Sequence, residues 1–330
     1  VKKRSHRFDK MARVYDDEIS PIWSHRFGRM LLRGLELPPK AMVLDVGCGT
    51  GYPCLEILDR MDEHGRIIAI DPIGALLDVA RKKAGELAGK RIFFRSEAPV
   101  AKLAFADEVY DLVFSNLGLM LLDNPQRALQ EFTRVTKAGG KVIVTLPLRG
   151  TYGEFYDIYR EVLTKHDQHD ILQRLEAHIA KTPEPETVAS WLEDAGLEQT
   201  EVELEQFSLL FKSSREFFFA PVIEFGPLSA WKEVAGKGQV MQEVFWNIKE
   251  AIDAYFSDRA FEITVKAGCF RGIKPEEEAL PPTGEVTPPK GPGSGPHPAP
   301  DEADDERHPP LSDDFRLDED DEDDDTGSEA

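Results

Sequence analysis

Cysteine is scarce in this 330-residue chain. Cys48, Cys54 and Cys269 are all it has, too few for a disulfide framework and spaced like no tetrahedral zinc motif. Long apolar runs are lacking as well. No uninterrupted stretch approaches the ~20 residues a membrane-crossing helix needs, so no membrane partner is expected. The opening Val1-Lys2-Lys3-Arg4-Ser5-His6-Arg7 is basic, but Asp9-Lys10 follows where a secretory signal requires an apolar stretch. Basic charge is in deficit: 40 Lys and Arg stand against 61 Asp and Glu, a net charge of −21. That balance argues against a nucleic-acid backbone as partner. These absences lead to the expectation of a soluble protein of a reducing compartment, the cytoplasm.

The acid is unevenly placed. From Pro275 to Ala330 there are 20 Asp and Glu against three Lys and Arg, which leaves −4 on residues 1–274. The same stretch holds 11 of the 23 prolines. Such a segment buries too little apolar surface to offset its ordering entropy, so 275–330 is expected to be a disordered acidic tail. Its charge suits a solubilising appendage, or a basic partner. Residues 1–274 are long enough to bury a sizeable core.

What is present is an alternation. A helical pattern runs through Phe8, Met11, Ala12, Tyr15, Ile22, Phe27, Leu31 and Leu32 and stops at Pro38-Pro39. Strand-like runs Ala41–Val46, Ile67–Ile70, Arg91–Phe94, Tyr110–Phe114 and Lys141–Leu146 then alternate with helical stretches near Tyr52–Met61, Gly74–Leu87 and Pro125–Val135. Single helices between strands mean βαβ units. Beyond Leu148 the pattern is helical to about Leu197, then strand-like over Thr200–Phe211 and Phe261–Phe270, with a helical insertion between. The expectation is an α/β fold: a doubly wound, seven-stranded, mostly parallel sheet with helical cap insertions. Its segments are an N-terminal helical part (1–40), a core (41–150), cap segments with the last two strands (151–274) and the tail.

The sharpest motif is Val43-Leu44-Asp45-Val46-Gly47-Cys48-Gly49-Thr50-Gly51, which closes the first strand and opens the first helix, where doubly wound sheets bind ligands. A dinucleotide site wants G-x-G-x-x-G, and the sixth position here is Tyr52. Asp45 sits where a pyrophosphate would come closest, and like charges repel there. The site suits a ligand that brings a cation, as S-adenosylmethionine does. Asp71, 20 residues past Gly51 at the tip of the second strand, can accept both ribose hydroxyls. That points to a nucleoside without saying which; Asp71 can also cap the helix after Pro72.

These residues resemble the class I S-adenosylmethionine-dependent methyltransferases. The resemblance implies that the loop Gly47, Cys48, Gly49 and Gly51 wraps the methionine moiety, that Asp45 orients its amino end, and that Asp71 with Pro72 lies at the ribose. It places Glu97 and Ala98, after the third strand, at the adenine edge, with Ser96 able to hold that place instead. Asn116 and Leu117, at the end of the fourth strand, lie against cofactor and acceptor; a turn-forming role for Asn116 is the rival reading. Lys137-Ala138-Gly139-Gly140 resembles the family's structural turn. The segment Arg7–Asp16 resembles the small-molecule branch that includes quinone-biosynthesis and malonyl-carrier enzymes, where 1–40 would cover the cofactor and Tyr15 close over it; packing in the core is the alternative for Tyr15.

Methyl transfer needs reactants held at near-attack distance more than it needs a base. His25, Tyr152, Tyr156, His166 and His169 are all eligible as a base, and none is singled out. His166-Asp167-Gln168-His169-Asp170 invites a metal reading but is expected to be an exposed polar turn. The aromatic stretch Phe217–Phe225, with Trp231, Phe245 and Trp246, serves equally as an apolar acceptor pocket or as the cap's own core. The expected activity is methyl transfer from S-adenosylmethionine to a small, apolar or aromatic acceptor. The alternatives are a nicotinamide-dependent oxidoreductase and a non-catalytic cofactor-binding regulator.

Overall fold

Strands buried on both faces carry apolar side chains at consecutive positions rather than alternate ones. Met42–Val46 (β1), Arg66–Asp71 (β2) and Tyr110–Asn116 (β4) do so, and Val43, Leu44, Ile67, Ala69, Ile70, Leu112, Val113 and Phe114 are fully buried. With Ile92–Ser96 (β3), Thr136–Pro147 (β5), Glu198–Phe211 (β6) and Phe261–Ile273 (β7) they form one seven-stranded sheet ordered β3-β2-β1-β4-β5-β7-β6. β7 alone runs opposite to the other six strands. The structure, a computed structural model, describes residues 11–97, 102–122, 124–257 and 259–276. The acidic tail from 277 onward, and residues 1–10, lie outside the described residues.

Helices cover both faces, as the alternation requires. Ser24–Leu32 (α1), Cys54–Arg60 (α2) and Gly74–Ala84 (α3) bury Phe27, Met30, Leu31, Ile57, Leu58 and Leu77 against one face. On the other, Pro125–Val135 (α4) packs Leu129 and Phe132. The start of α4 is legible in the chain: the Asn124 side chain accepts from Arg127 N, and Pro125 takes the first turn. After Gly153–Lys165 (α5) and His169–Ile179 (α6), Pro185–Asp194 (α7) returns to this face with Val188 and Leu192.

Ser214–Phe219 (α8), Pro221–Glu224 (α9), Leu228–Ala235 (α10) and Gly238–Tyr255 (α11) complete a cap with α5 and α6. Its core is aromatic. Trp231 stacks on Phe155 with ring centroids 4.1 Å apart, donates from Nε1 to Tyr156 Oη at 3.1 Å, and accepts at its carbonyl from Tyr159 Oη at 3.1 Å.

Three boundaries differ from the sequence expectation. The N-terminal segment divides: a π-helical turn, Tyr15–Ile19, faces the ligand crevice, whereas α1 puts its apolar i, i+3, i+4 face on the sheet and is not a cover. β5 begins at Thr136, and the Gly139-Gly140 turn is looped out within it, because Tyr110 pairs with Thr136 and Leu112 already with Lys141. β7 extends past Phe270 because Gly139 N donates to Lys274 O and Lys274 N to Gly140 O, closing that loop against the strand's end. Among the described residues no helix is long and apolar enough to cross a membrane.

Candidate cofactor and acceptor site

From β1 and β4 the chain winds outward in opposite directions, and such a switch point opens a crevice at the carboxyl ends of the strands. A cavity of about 410 Å³ occupies it. Gly47, Gly49, Asn116, Leu117 and Gly118 form one wall, and Asp71, Pro72, Ile73 and Leu76 a second. Met11, Tyr15 and Ile19 from the N-terminal turn, Leu121 and Leu122 after β4, and Phe225 from the cap form the rest.

The glycine loop is closed upon itself. Gly47 N and Cys48 N both donate to Ile70 O, at 2.9 and 3.1 Å, and Gly51 N donates to Cys48 O at 2.9 Å. Gly49 N donates to Asp71 Oδ2 at 3.0 Å. A phosphate cradle works by presenting free backbone N–H groups, and these four are already engaged. The left-handed φ of Gly47, Gly49 and Gly51, +84°, +52° and +96°, gives the loop its shape and leaves bare backbone toward the ligand.

Two carboxylates face this loop in different ways. Asp71 accepts from Gly49 N and, through Oδ1, from Ile73 N at 2.8 Å. Burial raises its pKa, and those two backbone bonds, Ile73 first, offset part of the rise. A carboxylate has room for about four donors, so it retains acceptor capacity for two hydroxyls. The expected cap of the helix after Pro72 takes the form of this bond to Ile73; the residue before α3 is Ile73 itself.

Asp45 does not line the cavity. It is wholly buried at the end of β1, and neither carboxylate oxygen has a hydrogen-bond partner among the described residues. Burial pushes its pKa well up; the nearby Cys54 thiol lowers it in part, and the Asp71 charge raises it further. A buried carboxylate without a partner costs several kcal/mol if ionised. No Lys or Arg lines the cavity among the described residues, so the missing counter-charge is one that a ligand can bring. Orphaned carboxylate, engaged loop amides and bare glycine backbone fit a sulfonium- and ammonium-bearing nucleoside.

Tyr15 lies over the loop: its Cε1 is 3.7 Å from where a Gly49 Cβ would stand, and its hydroxyl is 2.9 Å from Ser24 Oγ. Burial raises its pKa, the bond to Ser24 opposes this, and Asp71 and Asp16 add to the rise. Of the residues read from the sequence, Tyr15, Gly47, Gly49, Asp71, Pro72, Asn116 and Leu117 come together at the cavity. Cys48 and Gly51 belong to the loop but face away; a Gly51 Cβ would meet Leu55 at 3.0 Å. Glu97 stands at the tip of β3, its N–H donating to Asp71 O at 3.3 Å, and does not line the cavity. Ala98 lies outside the described residues.

None of the five eligible bases reaches the cavity. His25 stacks on Tyr52 at 3.8 Å, and burial lowers its pKa ahead of the charges around it. Tyr152 and Tyr156 are in the cap core; His166, just after α5, and His169, the first residue of α6, are exposed. The aromatic stretch is divided: Phe217 and Trp231 are core, Trp246 is exposed, and Phe225 lines the cavity. Gly118, Leu121 and Leu122 were not singled out in the sequence. A glycine just behind a strand tip, facing a glycine loop, was the available signal for the first.

Residues 44–144 match the family model for a methyltransferase domain. A demethylmenaquinone methyltransferase of Renibacterium salmoninarum is 28% identical over 201 residues, 57% of this chain and 81% of that protein. A ubiquinone/menaquinone biosynthesis C-methyltransferase (UbiE) of Idiomarina loihiensis is 29% identical over 59% of this chain and 82% of that protein. Among solved structures, the YcgJ protein of Bacillus subtilis shares the fold, with a TM-score of 0.51 at 14% identity, over 76% of this chain and 99% of that one. The oxidoreductase alternative finds no support in these likenesses. With a methyltransferase domain laid over this strand order and this glycine loop, the chain resembles the class I S-adenosylmethionine-dependent methyltransferases and is an enzyme that takes S-adenosylmethionine as its cofactor, for transfer to a small-molecule acceptor.

Proposed function

We propose that the acceptor is an aromatic or quinol-type ring and that it enters the same cavity as the cofactor. The observation that carries this reading is the division of the lining by chemistry. Asp71, Asn116 and the glycine loop supply the polar groups; Met11, Ile19, Leu121, Leu122 and Phe225 are apolar. Relatives named for demethylmenaquinone and for quinone C-methylation support the same class. The three cysteines are free and buried, which fits the reducing, cytoplasmic setting read from the sequence.

When bound, S-adenosylmethionine supplies a methyl already activated by its sulfonium, so transfer is an in-line displacement. The chain's residues hold and shield. Asp71 takes the ribose hydroxyls with its remaining lone pairs, and Pro72 stands beside them. Gly47 and Gly49 give backbone clearance for the methionine moiety, with Cys48 and Gly51 setting the loop's shape. Asp45 supplies negative potential from beneath, and Tyr15 presents an aromatic face of the kind that attracts sulfonium. Glu97 and Ala98 keep their assignment to the adenine edge, and Asn116 and Leu117 theirs between cofactor and acceptor. The apolar wall excludes water from the reacting atoms. Since no eligible base reaches the cavity, the reading favours an acceptor that is nucleophilic of itself, such as an electron-rich ring.

The test is transfer of labelled methyl from S-adenosylmethionine to a panel of acceptors: a demethylated naphthoquinol, a simple phenol and a polar amine. Label on the quinol or the phenol is expected. Label on the amine alone would overturn the acceptor class, and absence of saturable cofactor binding would overturn the site.

A further inference from the structure

Hydrogen bonds, joined through the side chain and carbonyl of Ser24, connect the N-terminal turn to the tips of β4 and β5. The Tyr15 hydroxyl meets Ser24 Oγ at 2.9 Å. The Ser24 carbonyl accepts from Asn116 Nδ2 at 3.2 Å. Asn116 Oδ1 accepts from Thr145 Oγ1 at 2.7 Å, and Thr145 Oγ1 in turn accepts from Leu117 N at 3.2 Å. Ser24, Asn116 and Thr145 are all buried. Tyr15 and Leu117, at the two ends, both line the cavity.

Two features set this chain apart from ordinary packing. Leu117 holds φ at +69°, a conformation that side-chain-bearing residues rarely adopt and that persists only where the surroundings impose it. The Asn116 amide, which the sequence assigned to the ligand, is engaged at both its oxygen and its nitrogen within the protein.

We propose that this chain is a latch: Asn116, Thr145 and Ser24 are positioning residues that hold the Tyr15 turn closed over the cofactor and fix Leu117 on the opposite wall. The proposal rests on the cavity being the cofactor site. Thr145 is its keystone. Its hydroxyl donates to Asn116 and accepts from Leu117, yet it does not line the cavity, so replacing it removes no contact with a ligand. Loss of that hydroxyl leaves the buried Asn116 Oδ1 without its donor, the costly way to break a hydrogen-bond network, while Leu117 N keeps its bond to the Thr145 carbonyl at 3.0 Å.

The experiment compares Thr145→Val, which keeps the shape and loses the hydroxyl, with Thr145→Ser, which keeps the hydroxyl. Affinity for S-adenosylhomocysteine is read by calorimetry, and amide exchange is followed in residues 11–24 and 47–51 with and without it. Thr145→Val is expected to weaken binding about tenfold. Ligand-induced protection of 11–24 should fall while that of 47–51 persists at saturation, and Thr145→Ser should behave as wild type. Equal losses in both variants, or undiminished protection of 11–24 in Thr145→Val, would overturn the latch alone. No binding by the wild type would overturn the cofactor site and the latch with it. Tyr15→Phe severs the outer link at Ser24 Oγ and leaves the bonds among Asn116, Thr145 and Leu117 in place, and it keeps the question decidable if Thr145→Val does not fold. It too should lose protection at 11–24 and keep it at 47–51; full protection at 11–24 would overturn the latch.

Discussion

Gly47 and Gly118 stand back to back at the switch point: a Cβ on Gly47 would lie 3.3 Å from Gly118 Cα. A Cβ on Gly118 would fall 2.6 Å from Ser115 Oγ and 2.9 Å from Val46 O. Gly118 has an ordinary φ of −79°, so it is glycine for space alone. Ser115 cannot yield freely, because its hydroxyl donates to that same Val46 carbonyl at 2.7 Å. The two loops that bound the cavity approach each other through these two residues.

Gly118→Ala is therefore expected to push the loops apart, at a cost of about 1–3 kcal/mol in stability. Affinity for S-adenosylhomocysteine should fall by about tenfold or more, since about 1.4 kcal/mol at the site suffices for that. Calorimetry and a melting curve check both; unchanged affinity would show that the clash is relieved without moving the loops.

Asp45→Asn should stabilise the ligand-free protein at neutral pH while weakening cofactor binding. The sign follows from the raised pKa of a buried acid with no partner. Its contribution to stability is fully present below the ordinary value of 3.8 and is lost as pH rises toward the folded value. The wild type should thus lose stability over that rise, by about 1–3 kcal/mol on the scale of an unsatisfied buried polar group. The variant should lose less, and saturating cofactor should flatten the wild-type curve. Melting temperatures of both proteins between pH 4 and 8 decide it, and parallel curves would refute it.

Phe225→Ala should separate the two ligands. Phe225 is half exposed and reaches the cavity from the cap, with no part in the glycine loop. KM for an aromatic acceptor is expected to rise about tenfold, the scale of losing one buried ring contact. KM for the cofactor should stay within about twofold, well under 1 kcal/mol. A rise in cofactor KM alone would reassign Phe225.

Trp231→Phe tests the cap. It removes the Nε1 donor to Tyr156 Oη and shrinks a ring with no exposed surface. A loss of about 1–3 kcal/mol in denaturant unfolding is expected. A loss under about 0.5 kcal/mol, the level of a neutral surface change, would mean that the aromatic cluster repacks.

Much of the layered core was legible because its signals are local. The buried runs of β1, β2 and β4, the Asn124-Pro125 start of α4 and the Gly-x-Gly-x-Gly turn each span a few residues whose backbone preferences do not depend on what packs above them. The site was legible where one residue sits at a fixed offset from a strand end, as with Asp71 and Asn116. It was illegible where the contact is long-range: Leu121 and Gly118 carry no periodicity of their own. The aromatic stretch had to be left undecided because a helical period marks a buried face without saying what buries it, and here Phe217 went to the cap core and Phe225 to the cavity.

The order of residues in the chain was enough to establish a parallel α/β sheet, a carboxylate ahead of a glycine bend and a second carboxylate at the next strand's tip, because strand and turn chemistry is settled within a few neighbours. Tertiary structure alone decided that Asp45 would be sealed without a partner, that four of the loop's own N–H groups would be engaged within the protein, and that Ser24 would meet Asn116 from 92 positions away. Those outcomes depend on which surfaces close over one another, and burial is what turns an ordinary carboxylate or amide into a group that needs a particular partner.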